Sequence, residues 1–128
     1  ASAVNSSSVI GCEPAGADDA KRSFESGELL PMPNPQTIAD GLRAIVGQRN
    51  FRVIREKVRE VLTVDDQEIR EAMVLFWRHC RRFIEQSSAT GIAALRRISS
   101  QKFAVSQEGT NKSPPFPVAM IPASRSSR

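Results

Sequence analysis

A chain of 128 residues, 40% hydrophobic and 25% charged, holds one domain with a single core and has the composition of a globular protein. It contains no run of eighteen apolar residues, and its first twenty lack the basic start and apolar stretch of a secretory signal; we expect a soluble, cytoplasmic protein with no membrane partner. The net charge of +4 is uneven: residues 1–50 carry four Lys and Arg against six Asp and Glu, residues 51–102 eleven against seven, and the remainder three against one, so the basic excess sits in the middle and the tail.

Ala1 opens a Ser-rich stretch where an initiator Met is absent, which suggests processing or a longer parent. The apolar run Val9-Ile10-Gly11-Cys12, closed by Glu13-Pro14, predicts a buried strand with a loop at its carboxyl end. Asp18 and Asp19 then cap a short helix that Gly27 ends, and Pro31 to Pro35 form an extended connection. From Thr37, apolar residues at 38, 42, 45 and 46 predict a one-faced helix terminated by Gly47, interrupted early by Asp40-Gly41. Phe51, Ile54, Val58 and Val61 predict a second amphipathic helix, followed by a short strand at Leu62-Thr63-Val64. Asp65 with Glu68 three residues on has the form of a capping box, and the helix it starts is expected to run through Met73, Phe76, Trp77 and Cys80 to Ile84. Gln86 to Ala89 read as a cap and turn, Thr90 to Arg97 as another short helix, and Lys102 to Val105 as the start of a strand. Beyond it, four prolines among Ser, Gly and Asn predict a disordered tail over residues 106–128.

Short apolar strands alternating with helices imply an α/β fold, an open, mostly parallel sheet flanked by helices, with functional groups on the loops at the strands' carboxyl ends. Glu13 and Asp19 lie on one such loop. Two carboxylates six residues apart, with a tight turn through Ala15-Gly16-Ala17, can converge on a hard cation; the alternative is a solvated Glu13 and a helix-capping Asp19. Cys12 and Cys80 show no CxxC spacing and read as buried free thiols, with neither a zinc site nor a disulfide framework.

Three segments in order, Val-Ile-Gly-Cys-Glu-Pro-Ala-Gly-Ala-Asp-Asp-Ala at 9–20, Pro-Gln-Thr-Ile-Ala-Asp-Gly-Leu-Arg at 35–43 and Val-Asp-Asp-Gln-Glu-Ile at 64–69, resemble the serine racemases and threonine or serine dehydratases among the fold type II pyridoxal-phosphate enzymes. The likeness extends to about residue 103, so residues 1–105 look like the C-terminal part of such a catalytic domain. By this resemblance Glu13, the carbonyl of Ala17 and Asp19 match a magnesium or manganese site. Asp40 and Gly41 match the segment beside cofactor and substrate, where Ala44 stands at a position often held by Ser in the racemases. Glu85 matches a Glu near the pyridine ring in a Glu-Pro-Ser-Gly-like turn, in which Gln86 here replaces the proline and Ser88 the glycine. His79 and Arg81 match positions that hold a nucleotide effector at a subunit interface in animal serine racemases, against the simpler reading of a solvated basic face with Arg78 and Arg82.

The same resemblance implies a homodimeric parent that acts on serine or threonine with pyridoxal phosphate, as a racemase (an isomerase) or an ammonia-lyase. The lysine motif and four-glycine loop that hold the cofactor in this family fall upstream of the matched region, so no residue of this chain is assigned as catalytic and the isolated chain is expected to be inactive. The Ser-Gly-Gly-Asn strand end expected after Val105 is replaced by Pro-rich sequence. Two other readings remain at this point. One is a degenerate, non-functional fragment. The other is a basic helical module binding nucleic acid or protein through Arg52, Arg55, Arg59, Arg78, Arg81 and Arg82, which the interspersed Glu56, Glu60, Glu68 and Glu71 disfavour.

Overall fold

The computed structural model of the chain describes residues 8–107, with side chains as far as Gln101. The order of elements is β1 (Val9–Pro14), α1 (Asp19–Ser26), a 3-10 turn (Asp40–Leu42), α2 (Gln48–Lys57), β2 (Val58–Val64), α3 (Asp66–Cys80) and α4 (Gln86–Gln107). Strands β1 and β2 pair in parallel, with Gly11 opposite Val61 and Pro14 opposite Val64. Parallel strands need a long crossover, and the 43 residues between Pro14 and Val58 that hold α1 and α2 supply it. The expected α/β class with a parallel sheet flanked by helices is what the chain adopts.

Gly27 ends α1 as predicted, in the left-handed conformation at φ 80° with its N–H donating to the Ser23 carbonyl. The capping box at Asp65 and Glu68 is complete: the Asp65 carboxylate accepts from the Glu68 N–H at 2.8 Å, and Glu68 accepts from the Asp65 N–H at 2.9 Å.

Four sequence expectations are corrected. Residues 37–47 form no α-helix but an irregular segment with one 3-10 turn, because their backbone amides bond to side chains elsewhere: Ile38 N–H to Asp66, Ala39 N–H to Thr37 Oγ1 and Val46 N–H to Asp19. The helix through Phe51 stops at Lys57, and Val58 and Val61 lie in β2, where β-branched side chains suit the pleated surface and the ladder to β1 outweighs helical periodicity. Helix α3 stops at Cys80, four residues short of Ile84, where Arg81 takes a left-handed conformation at φ 55° and donates its N–H to the Trp77 carbonyl. Cys80 is consequently exposed rather than buried, and Cys12 is half-buried. Finally, Gln86 to Gln107 is one continuous helix, so Ser87 and Ser88 occupy its first turn and the backbone of Lys102 to Val105 is helical where a strand was expected. Packing of Ala89, Ala93 and Ala94 fixes its first half, and helix propagation needs only one further hydrogen bond per residue. The rest of the tail, residues 108–128, lies outside the described residues.

The core is small-residue packing between α3 and α4. Ala72, Ala89, Ala93 and Ala94 surround Ile69 and Val64, with Ala39 closing it from the 37–42 segment. Alanines let the two helices and the sheet approach closely. The predicted apolar stripe of α3 holds for Ile69 and Met73 but fades toward its end, where Trp77 is 42% exposed.

Gly16 is fixed by a close approach. Its carbonyl accepts the Gln36 N–H at 2.7 Å, and a Cβ on Gly16 would stand 1.7 Å from the Gln36 carbonyl oxygen. Gly16→Ala should therefore destabilise the chain by about 1–3 kcal/mol or more in urea unfolding. Gly91→Ala should instead stabilise it by about 0.5–1 kcal/mol, since a Cβ there meets only the Cys12 sulfur at 4.0 Å in the interior of α4. Equal midpoints for the two variants would show that the loop does not pack as described.

Candidate functional site

Pairing in register brings the carboxyl ends of β1 and β2 side by side, so the chain leaves both strands on the same edge of the sheet. The Ala15 N–H donates to the Val64 carbonyl at 2.8 Å and ties the two exits together. Glu13, the last residue but one of β1, turns its carboxylate onto the start of α1 and accepts from the Lys21 N–H at 2.6 Å and the Ala20 N–H at 3.3 Å. It acts as a cap supplied from seven residues upstream, where helix N-terminal amides lack intrahelical acceptors. Asp18, the residue before α1, makes no capping bond and instead pairs with Arg22 at 2.8 Å.

Asp19 is buried, and its carboxylate accepts the Val46 N–H at 2.8 Å. Ala17, also buried, donates its N–H to the Pro14 carbonyl at 3.0 Å. Glu13, Ala17 and Asp19 thus belong to one turn at one strand end. Burial is the main force on Glu13, pushing its carboxyl up to about 7; the backbone bond from Lys21 opposes this, and the negative charge of Asp19 adds to it. Burial likewise raises the neighbouring Cys12 thiol above its ordinary value, helped by the charge of Glu13.

The second group of expected residues sits on the segment clamped by Asp66, the first residue of α3. Asp66 accepts from Thr37 Oγ1 at 2.7 Å and from the Ile38 N–H at 3.1 Å, and the Arg43 guanidinium closes on the Thr37 carbonyl, with Nε at 3.1 Å. This presents Asp40 and Gly41 as an exposed turn in which the Asp40 carboxylate accepts its neighbour's N–H at 2.9 Å. Against Gly41 stands Ser87, in the first turn of α4: a Cβ on Gly41 would lie 2.8 Å from its hydroxyl oxygen. Glu85 is exposed and immediately precedes α4, its carbonyl accepting the Ala89 N–H at 3.0 Å. Asp40, Gly41 and the Glu85–Ser87 stretch therefore converge, while His79 and Arg81 lie apart from them on the exposed end of α3. There the Arg81 guanidinium rests over the Trp77 ring at 5.8 Å from its centroid, and Trp77 stacks on Phe83.

Ser87, Thr37 and Asp66 were not singled out by sequence reasoning. The Ser-Ser pair is the signal available in the sequence, where it suits a turn as well as the helix start it forms. Of the double Asp at 65–66, the residue pattern gives Asp65 the capping role and gives Asp66 none beyond its place in the 64–69 segment. Among the described residues no three His, Cys, Asp or Glu side chains gather to hold a metal ion; a cation at the Glu13–Asp19 turn would need a backbone carbonyl as third protein donor.

In the metal-free chain Glu13 keeps its proton to higher pH when folded than when unfolded. Between about 4.5 and about 7 the native state binds more protons, so its contribution is fully present at low pH and is lost as pH rises through about 7. With chelator present, the stability of wild type relative to Glu13→Gln should fall across this window. A difference that stays level from pH 4.5 to 8 would show an ordinary carboxyl at Glu13.

Residues 2–107 match the family described as pyridoxal-phosphate dependent enzyme. The chain is 38% identical to an L-threo-3-hydroxyaspartate ammonia-lyase of a Pseudomonas species over 73% of its own length and 30% of the relative's. With a serine racemase of Oryza sativa subsp. indica it shares 39% identity over 73% of this chain and 28% of that one. It therefore spans less than a third of these relatives. Among solved structures, a T.th. threonine deaminase superposes with a TM-score of 0.70 at 38% identity, covering 73% of this chain and 35% of that one. The serine racemase of Dictyostelium discoideum does so with a TM-score of 0.66 at 42% identity, over 79% and 31%. The strand-end turn of Glu13 to Asp19, the clamped Asp40–Gly41 turn and the α4 start thus sit in a chain that belongs to the pyridoxal-phosphate dependent enzymes.

Proposed function

We propose that this chain is the C-terminal portion of the catalytic domain of a cytoplasmic pyridoxal-phosphate enzyme that acts at the α-carbon of serine, threonine or a similar hydroxy amino acid. The reaction is either racemisation or loss of the β-hydroxyl as water, giving an oxo acid and ammonia. The observation that carries this reading is the convergence of Asp40–Gly41 with the start of α4 at Glu85–Ser87, where the Ser87 hydroxyl is buried without a hydrogen-bond partner. Relatives with serine racemase and ammonia-lyase activities support it.

When bound, pyridoxal phosphate supplies an electron sink for the negative charge left on the α-carbon. The residues here that would border it are Gly41, which lets Ser87 approach closely, Asp40, which holds the turn in shape through the Gly41 N–H, and Glu85, exposed just before α4. The lysine and glycine loop that complete such a site come from outside this chain. Glu13, the Ala17 carbonyl and Asp19 would hold magnesium or manganese. The donor set is hard oxygen, and a cation would offset the burial that raises the Glu13 carboxyl and the charge of Asp19 beside it. A cation here would hold the exit of β1 and, through the Asp19 bond to Val46, the segment bearing Asp40. We assign the parent as a homodimer, with His79 and Arg81 as contacts for a nucleotide effector; the exposed Trp77 and Phe83 rings beside Arg81 suit a planar base.

The 128-residue chain alone should show no cofactor absorbance and no turnover of serine. Set in place of the matched segment of the Dictyostelium discoideum serine racemase, it should restore both. Turnover by the isolated chain, or a folded hybrid that takes up no pyridoxal phosphate, would overturn the assignment.

Magnesium or manganese should raise the melting temperature of that hybrid, and Asp19→Ala should abolish the increment while Asp18→Ala keeps it. The increment is the readout, because Asp19→Ala also loses the bond to Val46. Equal metal-induced shifts in all three proteins would leave Asp19 a purely structural acceptor.

A further inference from the structure

Among the described residues the hydroxyl of Ser87 is the one buried side-chain polar atom that finds no hydrogen-bond partner. Its position explains why. A serine in a helix can donate to the carbonyl four residues back, as Thr90 does to Gln86 at 3.1 Å. For Ser87 that carbonyl belongs to Phe83, which precedes the start of α4 at Gln86. The hydroxyl therefore has no acceptor within its own helix and faces Gly41. Gly41 has no left-handed backbone that would call for glycine. What excludes a side chain there is Ser87 itself, with its oxygen 2.8 Å and its Cβ 3.5 Å from the position a Gly41 Cβ would take.

A buried, unbonded hydroxyl weakens the state that holds it, so its retention is explained if a second state supplies the bond. Facing it is the turn that borders the cofactor in the function proposed above, and the inference rests on that reading. The Asp40 carboxylate is already engaged by the Gly41 N–H, which keeps the turn closed on itself while α4 waits beside it.

We infer that Ser87 is a positioning residue for the cofactor: with pyridoxal phosphate in place, its hydroxyl donates to an acceptor on the Asp40–Gly41 turn and locks that turn to the start of α4. Loading the cofactor then closes a hydrogen bond left open without it, and part of the cofactor's affinity resides in a residue that it does not touch. A hydroxyl that served only packing would show no such coupling.

The test uses two proteins. In the full 128-residue chain without cofactor, Ser87→Ala should raise the melting temperature by roughly 3–5 °C, because it removes an unsatisfied polar atom. Gly41→Ala should lower it, and adding Ser87→Ala should recover most of the loss, since the 2.8 Å contact disappears and the 3.5 Å contact is ordinary packing. In the cofactor-loaded hybrid racemase, Ser87→Ala should weaken retention of pyridoxal phosphate in equilibrium dialysis by roughly ten-fold, while Ser87→Thr, which keeps the hydroxyl, stays near wild type. A gain in melting temperature with unchanged cofactor retention overturns the inference and leaves Ser87 a packing defect. A fall in melting temperature for Ser87→Ala overturns it too, because the hydroxyl would already be bonded. If the unsubstituted hybrid takes up no cofactor, the proposed function has failed first, and that result is visible before any Ser87 variant is made.

Discussion

A single carboxylate, that of Asp66, decides where the irregular part of this chain goes. It stands at the first position of α3, where free helix amides favour negative charge, and it takes both the Thr37 hydroxyl and the Ile38 amide. Hydrogen bonds to a charged acceptor contribute about 1.5–3 kcal/mol each, more than the propensity difference that would favour a helix over 37–47. Once Thr37 is held, Ala39 is drawn into the core beside Ile69 and Ala72, and the chain must turn outward at Asp40–Gly41. The preceding residue, Gln36, is bonded to Gly16, and the later Val46 to Asp19. The segment is pinned at three points, each at the carboxyl edge of the sheet.

Acidic groups make most of these attachments, and their environments separate them. Asp65 and Glu68 cap α3 in a solvated setting and serve it simply as partners for amides. Glu13 performs a similar task for α1 from within the structure, and there burial outweighs two backbone hydrogen bonds in setting its protonation. The same chemistry that holds the helix start thus leaves one carboxyl poised near neutral pH beside a second buried carboxylate. Such a pair is costly without a counter-charge. Its oxygens are partly committed to amides, so a cation would have to share them.

What could be read from residues alone follows from how local each signal is. The cap and box at Asp65, the end of α1 at Gly27 and the β1 strand are each set by a few adjacent residues, and all three are found, with β1 running on through the Glu13-Pro14 expected to close it and starting at an exposed Val9 instead of being buried throughout. The 37–47 helix was expected from a correct apolar period, but Ile38 and Leu42 face the core from an irregular backbone whose bonds run to Asp66, 28 and 29 residues away. Val58 and Val61 kept helical spacing with Phe51 and Ile54, and only the ladder to β1 shows them to be strand. The site divides in the same way. The Glu13–Asp19 turn is local and legible by motif. The approach of Ser87 to Gly41 joins residues 46 positions apart and leaves no periodic trace.

Some of the positive charge, which first raised the possibility of a nucleic-acid module, is engaged inside the fold. Arg43 closes on the Thr37 carbonyl, Arg55 donates to the Gly27 carbonyl at 2.9 Å, and Arg22 pairs with Asp18. Along the groove between α3 and α4, Arg96 meets Glu71 at 3.4 Å and Arg97 meets Glu68 at 3.1 Å. These exposed pairs contribute only about 0.2–1 kcal/mol each, so their importance is in direction. Arg97 also caps the Thr63 carbonyl at 2.6 Å, binding α4 to the end of β2, and Arg55 joins α2 to the end of α1. A phosphate backbone would have to compete with carbonyls and carboxylates already in contact with these guanidinium groups. Arg55, Arg96 and Arg97 act as ties between elements, so part of the positive charge of the middle segment serves the fold.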